Sequence, residues 1–450
     1  MKVYFFTLGC RVNQYETDAA RELFLSSGYE LVGNPEEADI CIVNTCTVTG
    51  EADRKSRQHL RKFARVNPDA IIVAMGCASE MADGEVDADI VCGTHDKNEL
   101  VARVEAFLAA RDGSDVPLTH KTNHVRPEVS KKDDYHDFGT VLSPEGTRAF
   151  VKIEDGCNQF CSYCIIPFAR GRVASRSEAN IIAEVWSLAE QGYCEVVLSG
   201  IHLCSYGKDR GEDIMALLEV IRKIDAIPGI ERIRLGSVEP LSLTDEFIEG
   251  LASVKKLCPH FHLSLQSGSD TVLKRMNRTY NSEQYASRVA LLREKFPTMQ
   301  LTTDVICGFP GETDEEFAET CEFVEKVELN KIHVFPYSVR EGTKAAKMEQ
   351  LPSNVSHERA AKLKAWSEKR EEEYASSFIG KEVEVLLESE IEGEEGAYVP
   401  YFRGYTYEYV KTEVEGAPIS EDYGPGDVVT AVVRSVRDNV LICEMIDIKL

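Results

Sequence analysis

No run of 18 apolar residues occurs in this 450-residue chain, so no transmembrane helix is expected. The start, Met1 to Cys10, holds one short apolar run, but Arg11 and Asn13 follow it without a small-residue cleavage site. It reads as a first buried strand and not as a signal peptide. Basic residues are in deficit: 51 Lys and Arg stand against 76 Asp and Glu, a net charge of −25 that at first sight disfavours a nucleic-acid partner. Internal repeats and low-complexity tracts are lacking too, which leaves two to four ordinary globular domains as the expectation for this length. Cysteine, by contrast, is plentiful. Fourteen of them, without an export signal, argue for a reducing compartment in which thiols serve metals or catalysis, so a cytoplasmic location is expected.

Three of these cysteines form the run Cys157-Asn-Gln-Phe-Cys161-Ser-Tyr-Cys164, and again something is lacking: a fourth. A closed [4Fe–4S] site takes four thiolates. Three leave one iron with an open position that a substrate or cofactor can occupy. A structural zinc loop would need a second Cys or His pair nearby, and none follows closely enough. The run follows the strand pattern Phe150–Ile153, which places it on a loop at a strand end.

Residues 1–111 read as a doubly wound α/β domain. Val3–Leu8, Asp39–Asn44 and Ala70–Met75 are near-continuously apolar, as strands covered on both faces should be, and Tyr15–Ser26, Glu51–Val66 and Asp96–Arg111 are helical between them. Each strand runs into a cysteine, namely Cys10, Cys46 and Cys77. Since such sheets carry their sites at the carboxyl ends of strands, three distant thiols can converge there as a second metal site. Residues 112–147 are polar, with Gly113, Pro117, Pro127, Pro144 and the charge run Lys131–Asp134, and form a linker with room for one strand.

Residues 148–378 repeat a strand–helix pattern six times, with strands at Ala149–Ile153, Glu195–Ser199, Arg232–Leu235, His262–Leu265, Thr302–Ile306 and Lys331–Phe335, closed by a charged helix over Ser356–Ser376. This is a partial (β/α)6 barrel whose working face lies at the strand carboxyl ends. Residues 379–450 change to short β runs, Glu382–Leu387, Tyr405–Val410, Val428–Val433 and Val440–Met445, a small antiparallel barrel. Tyr405, Tyr407 and Tyr409 are expected on one strand face, available either for stacking on bases or for the core. The segment holds 6 Lys or Arg against 16 Asp or Glu, which does not favour phosphate contact. Elsewhere charge is uneven: Arg54, Arg57, Arg61 and Arg65 share one face of the second helix within a stretch free of acidic residues, a candidate RNA-binding stripe.

The Cys157-x3-Cys161-x2-Cys164 loop on a barrel strand resembles the radical S-adenosylmethionine (SAM) motif. Its surroundings are similar to the methylthiotransferase family: Ile166-Pro-Phe-Ala-Arg170-Gly-Arg172, Ser175–Ser177, Arg234–Pro240, Leu263–Ser269 and Asp304–Glu312. The resemblance covers nearly the whole chain and implies an N-terminal cluster domain, a radical SAM barrel and a terminal barrel of the kind called TRAM. The segment Thr7-Leu-Gly-Cys10-Arg-Val-Asn13-Gln-Tyr-Glu-Thr17 looks most like the tRNA branch acting on N6-threonylcarbamoyladenosine.

The resemblance implies two [4Fe–4S] clusters. One, on Cys157, Cys161 and Cys164, would bind SAM and generate a 5′-deoxyadenosyl radical; the other, on Cys10, Cys46 and Cys77, would carry or donate sulfur. A second SAM would supply the methyl group. Ser199 and Gly200, then Ser237, Glu239 and Gln266 at strand ends, and Gly308 with Gly311, are the expected cofactor contacts. Asn13 and Asn44 are expected to hydrogen-bond cluster sulfurs. Implied partners are the anticodon stem-loop of tRNA, from which the base is extracted, a reducing electron donor and a sulfur source, with a monomer and no membrane association expected. Rival readings are an isopentenyl-type adenosine or a ribosomal protein as substrate, a non-catalytic RNA-binding iron–sulfur protein, and a zinc-only structural role.

Overall fold

The computed structural model describes residues 1–111, 117–128, 134–391, 401–415 and 423–448. Gly113 and Lys131–Asp133 of the expected linker lie outside them.

The first sheet is parallel throughout, in the spatial order Glu30–Leu31, Lys2–Thr7, Ile40–Thr45, Ile71–Gly76, Ile90–Cys92. Every residue of the two central strands is buried, because both faces are covered. One face packs Ile42, Val73 and Met75 against Phe24 and Val104; the other packs Val43 and Ile72 against Leu60 and Phe63. The helices are Arg11–Ser26, Gly50–Val66 and Leu100–Arg111. Thr49 caps the second by accepting from Ala52 N at 3.1 Å. The strands Glu30–Leu31 and Ile90–Cys92 were not expected; two or three residues carry too little pattern to be seen in sequence. Within the expected linker, Thr122–His124 forms the single strand allowed for, antiparallel to Gly84–Val86.

The barrel strands are Arg148–Lys152, Glu195–Ser199, Arg232–Leu235, His260–Leu263, Gln300–Cys307 and Lys331–Pro336. They pair in parallel as two sheets, the third strand continuing after Gly236 as Ser237–Val238 into the second. Gly236 is the hinge between them: a Cβ there would lie 3.1 Å from the Leu198 carbonyl oxygen. The first and last strands do not pair among the described residues, so the barrel is partial and open on one side. The helix Ser353–Ser376 lies along the last strand, where Ile332 N donates to Ser367 Oγ at 2.7 Å. No described helix is long and apolar enough to cross a membrane.

The terminal segment is a closed five-stranded barrel of Glu382–Ile391, Tyr401–Thr406, Lys411–Glu415, Val440–Ile448 and Val428–Arg437. Four of its pairings are antiparallel and one, Lys411–Glu415 with Val440–Ile448, is parallel. The expected strand Tyr405–Val410 is corrected. It stops at Thr406, where a turn is closed by Tyr409 N donating to Thr406 O at 3.0 Å and Val410 N donating to Thr406 Oγ1 at 3.1 Å. Tyr409 takes a left-handed φ of 74°. The three tyrosines therefore do not form a row. Tyr405 and Tyr409 stack at 4.6 Å, while Tyr407 turns away and donates to Leu257 O at 3.1 Å.

Candidate active site between two cysteine triads

Cys10, Cys46 and Cys77 sit at the carboxyl ends of three adjacent parallel strands, as expected. Gly9, with φ 108°, lets the first loop fold against the second: a Cβ on it would lie 3.0 Å from Cys46 Sγ. Cys46 and Cys77 are buried and Cys10 is exposed. Asn13 stands between two of them, its Oδ1 3.8 Å from Cys10 Sγ and 4.0 Å from Cys77 Sγ. Its amide N–H groups are directed elsewhere, to Leu8 O at 2.8 Å and Thr45 O at 3.1 Å. Asn44 donates to Asn13 O at 2.8 Å. These asparagines tie the cysteine loops together, and Asn13 Oδ1 accepts from the Cys10 and Cys77 thiols.

A network of buried charge lies behind this triad. Glu16, fully buried, accepts from Lys97, from Lys152 at 2.9 Å and from Arg170 at 2.8 Å; Arg170 also reaches Asp155 at 3.0 Å and Asn13 Oδ1 at 2.7 Å. Burial alone would raise the Glu16 carboxyl, yet Arg170, Lys152 and Lys97 hold it well below the ordinary carboxylate range. Arg170 Nε donates to Cys77 Sγ at 3.1 Å. Sequence reasoning missed this network, whose members come from four separate segments.

The second triad occupies the loop after Glu154–Asp155. Cys164 N donates to Cys161 O at 3.0 Å, Ser162 N to Met276 O at 2.9 Å, and Asn277 Nδ2 to Phe160 O at 3.1 Å, so the barrel grips the loop by its backbone. Arg278 Nη1 donates to Cys161 Sγ at 3.1 Å, repeating the arginine-to-sulfur contact of the first triad. No sequence signal distinguished Arg278.

A cavity of about 930 Å³ is lined by Cys10, Cys46 and Cys77 of the first triad and by Cys164 of the second, together with Ser199, Gly200, Ser237 and Gln266; Cys157 and Cys161 are not among its lining residues. Gln266 holds a left-handed φ of 69°, fixed because its N donates to Asp304 O and its O accepts from Ile306 N. Glu239 does not line the cavity. It faces His202 at 3.6 Å and accepts from Gln159 of the cluster loop at 3.4 Å. Gly308 does not line it either: with φ 73°, the space its missing side chain leaves is filled by Ser356, whose Oγ lies 2.1 Å from the position of a Cβ. Gly308 therefore packs closely against the helix Ser353–Ser376. The terminal barrel adds Tyr405, Tyr409 and Lys411 to the cavity, a contribution not foreseen.

The donor chemistry fits iron–sulfur clusters. Burial pushes the Cys46 thiol up to about 11 and the Cys164 thiol up to about 12, with the other cysteines of each triad pushing further, so these groups ionise readily only against bound positive charge. Among the described residues no three His, Cys, Asp or Glu side chains, those of the two triads included, meet closely enough to hold a single metal ion. Behind Gly200 lies Glu154, whose Oε2 accepts from His202 N at 2.8 Å and whose Oε1 is buried without a hydrogen-bond partner.

The predicted stripe Arg54, Arg57, Arg61 and Arg65 is exposed on the helix Gly50–Val66, but it is not wholly unopposed. Arg54 pairs with Glu51 through two bonds, at 2.8 and 2.6 Å, and Arg61 with Asp87 at 2.8 Å. Glu51 lies just before the stretch from which the stripe was read, and Asp87 comes to it from a distant segment.

Comparison with known proteins agrees with both halves of the site. The Radical SAM superfamily matches residues 151–324, and the Uncharacterized protein family UPF0004 matches residues 2–92. Threonylcarbamoyladenosine tRNA methylthiotransferase MtaB of Bacillus subtilis (strain 168) is 40% identical over 420 residues, covering 92% of this chain and 90% of that protein. Its counterpart in Aquifex aeolicus (strain VF5) is 41% identical, covering 86% and 93%. A tRNA-2-methylthio-N(6)-dimethylallyladenosine synthase of Acetivibrio thermocellus is 37% identical, covering 85% and 79%. Among solved structures, the radical SAM methyltransferase TsrM of Kitasatospora setae with cobalamin and a [4Fe–4S] cluster bound shares the fold, with a TM-score of 0.55 at 18% identity over 77% of each chain. The first triad lines one cavity with Cys164 of the second, and each triad lies inside its matched family segment, in accord with these relatives: the chain belongs to the radical SAM tRNA methylthiotransferase family, whose cofactors are SAM and [4Fe–4S] clusters.

Proposed function

We propose that this protein adds a methylthio group to C2 of N6-threonylcarbamoyladenosine next to the anticodon of tRNA. The observation that carries the reading is the cavity lined at once by Cys10, Cys46 and Cys77 and by Cys164 of the second triad. The substrate follows the MtaB relatives at 40% and 41% identity, ahead of the dimethylallyladenosine synthase at 37%.

In this reading Cys157, Cys161 and Cys164 hold one cluster, and Cys10, Cys46 and Cys77 hold the other. When bound, the first supplies the electron that cleaves SAM to the radical which takes the C2 hydrogen, and the second supplies sulfur. The chain's own part is placement. Ser199, Gly200, Ser237 and Gln266 bound the SAM side of the cavity, and Gly9–Asn13 bound the sulfur side. Ile166, Ile201, Ile306 and Phe335 give it apolar wall that keeps water from the reacting carbon. Arg170 and Arg278 donate to cluster-binding sulfurs and so set ligand orientation and electron affinity. The functional units are residues 1–111, 148–378 and 379–450 with a connection at 112–147. Arg57 and Arg65 contact the tRNA backbone, an electron donor and a sulfur source act with the protein, and it works as a cytoplasmic monomer.

The test is mass measurement of tRNA nucleosides from cells with and without the protein. Loss of the methylthio mark from threonylcarbamoyladenosine supports the proposal. Loss from an isopentenyl-type base instead overturns the substrate assignment.

A further inference from the structure

The charged side chains lining the cavity are Arg11, Arg170, Asp304, Lys331, Glu371 and Lys411. Four are spent on one another or on the wall. Arg170 is held by Glu16 and Asp155, Asp304 faces His262 at 3.3 Å, and Lys331 pairs with Glu371 at 2.5 Å. Arg11 and Lys411 have no carboxylate partner among the described residues. Among the described residues the Arg11 side chain makes one hydrogen bond, a long one of 3.3 Å from Nη2 to the Tyr409 hydroxyl, and its guanidinium otherwise rests 5.8 Å from the Phe150 ring centre and 5.7 Å from that of Tyr409. The nearby arginines differ in this respect, since Arg148 pairs with Glu388 and Arg234 with Glu195.

A cavity with two uncommitted cations and no uncommitted anion is complementary to an anionic ligand. A carboxylate entering a site shielded from water needs such a partner, because burying the charge alone is costly. Arginine supplies a planar fork matched to carboxylate geometry. An apolar dimethylallyl group has no use for either cation, whereas the threonylcarbamoyl substituent ends in a carboxylate. Arg11 also directly follows Cys10, so one loop at the end of the strand Lys2–Thr7 presents both a cluster thiol and the cation.

We propose that Arg11, aided by Lys411, reads the carboxylate on the N6 substituent of the target adenosine and so selects this substrate from other N6-modified adenosines. The proposal rests on the function proposed above for the identity of the base.

The experiment uses the full-length enzyme with both clusters loaded and anticodon stem-loop RNAs that differ only at the target base: threonylcarbamoyladenosine, its methyl ester, and unmodified adenosine. Affinity, KM and kcat are measured for each. The wild type should prefer the free acid over the ester by about tenfold or more, in line with a charge-assisted pair. Arg11→Gln should reduce that preference to about twofold, through KM and affinity, with iron content and RNA-independent cleavage of SAM unchanged. Arg11→Lys should restore part of it. Lys411→Gln, on an element that carries no proposed cluster ligand, should lower the preference in the same direction and is the second variant if Arg11→Gln loses iron. An unchanged preference for the acid in every variant that keeps its full iron overturns the proposal. A wild-type enzyme that leaves threonylcarbamoyladenosine unmodified overturns the proposed function instead, before any variant is considered.

Discussion

Arg170 joins Cys77 to Glu16: its Nε donates to the cysteine sulfur at 3.1 Å while its Nη1 donates to the carboxylate at 2.8 Å. Around this pair three buried cations, Lys97, Lys152 and Arg170, face only two carboxylates, Glu16 and Asp155. Burial raises the Cys77 thiol, and Arg170 and Lys97 draw it back. The sulfur site of one sheet is thus electrostatically completed by a residue on the cluster loop of the barrel.

Arg170→Ala removes a cation from between two buried carboxylates and should lower stability by about 3–5 kcal/mol. Arg170→Lys keeps the charge but cannot reach Glu16, Asn13 and the sulfur together. In a background with Cys157, Cys161 and Cys164 replaced by Ala, it should lose its remaining iron to a chelator faster than the parent. Equal rates would show that the bond to sulfur does not matter for retention.

Asp18 predicts a pH slope. Burial pushes its carboxyl up to about 7, the Gln14 amide at 3.1 Å and Arg21 draw it back only partly, and Oδ2 has no partner. The unfolded value is about 3.9, so between that and 7 the folded state holds the extra proton. Its contribution is fully present below about pH 4 and is lost as pH rises towards 7. Glu184, pushed up to about 7 by burial despite Arg176, acts in the same window. Asp18→Asn should flatten this slope without abolishing it and raise the melting temperature at pH 8, as followed by thermal unfolding across pH 4–8.

Gly308→Ala places a methyl group against Ser356 in a left-handed backbone and should cost about 1–3 kcal/mol. Calorimetry should show the loss, while equilibrium binding of SAM to the loaded enzyme stays within about twofold of the parent. A large loss of SAM affinity at unchanged stability would return Gly308 to the cofactor site.

On the basic helix, Arg57 and Arg65 are free of the ion pairs that engage Arg54 and Arg61. Charge reversal at Arg57 and Arg65 should weaken tRNA binding uniformly across sequences and reduce its salt dependence by about one unit of slope per lost contact. Reversal at Arg54 and Arg61 should do less. The readout is affinity measured at several salt concentrations, with iron content as the control.

Much of the fold and both cysteine triads were legible because they depend on local pattern. A continuous apolar strand followed by a cysteine is visible in six or eight residues, as at Ile71–Cys77. What sequence did not disclose depends on distant segments meeting. Glu16, Lys97, Lys152 and Arg170 look like unrelated surface charges until the chain is folded. Gly308 reads as a turn or a cofactor contact, and its close packing against Ser356, 48 positions on, leaves no trace in the local sequence. Tyr405 to Tyr409 alternates like a strand, yet the left-handed Tyr409 breaks it, and that torsion leaves no mark in composition.

The contact between Arg11 and Tyr409 spans 398 residues of sequence. The terminal barrel thus supplies part of the wall of a cavity whose cysteines all lie in the first 164 residues of the chain: without Tyr405, Tyr409 and Lys411 that wall would be missing, and Arg11 would lose its Tyr409 contact.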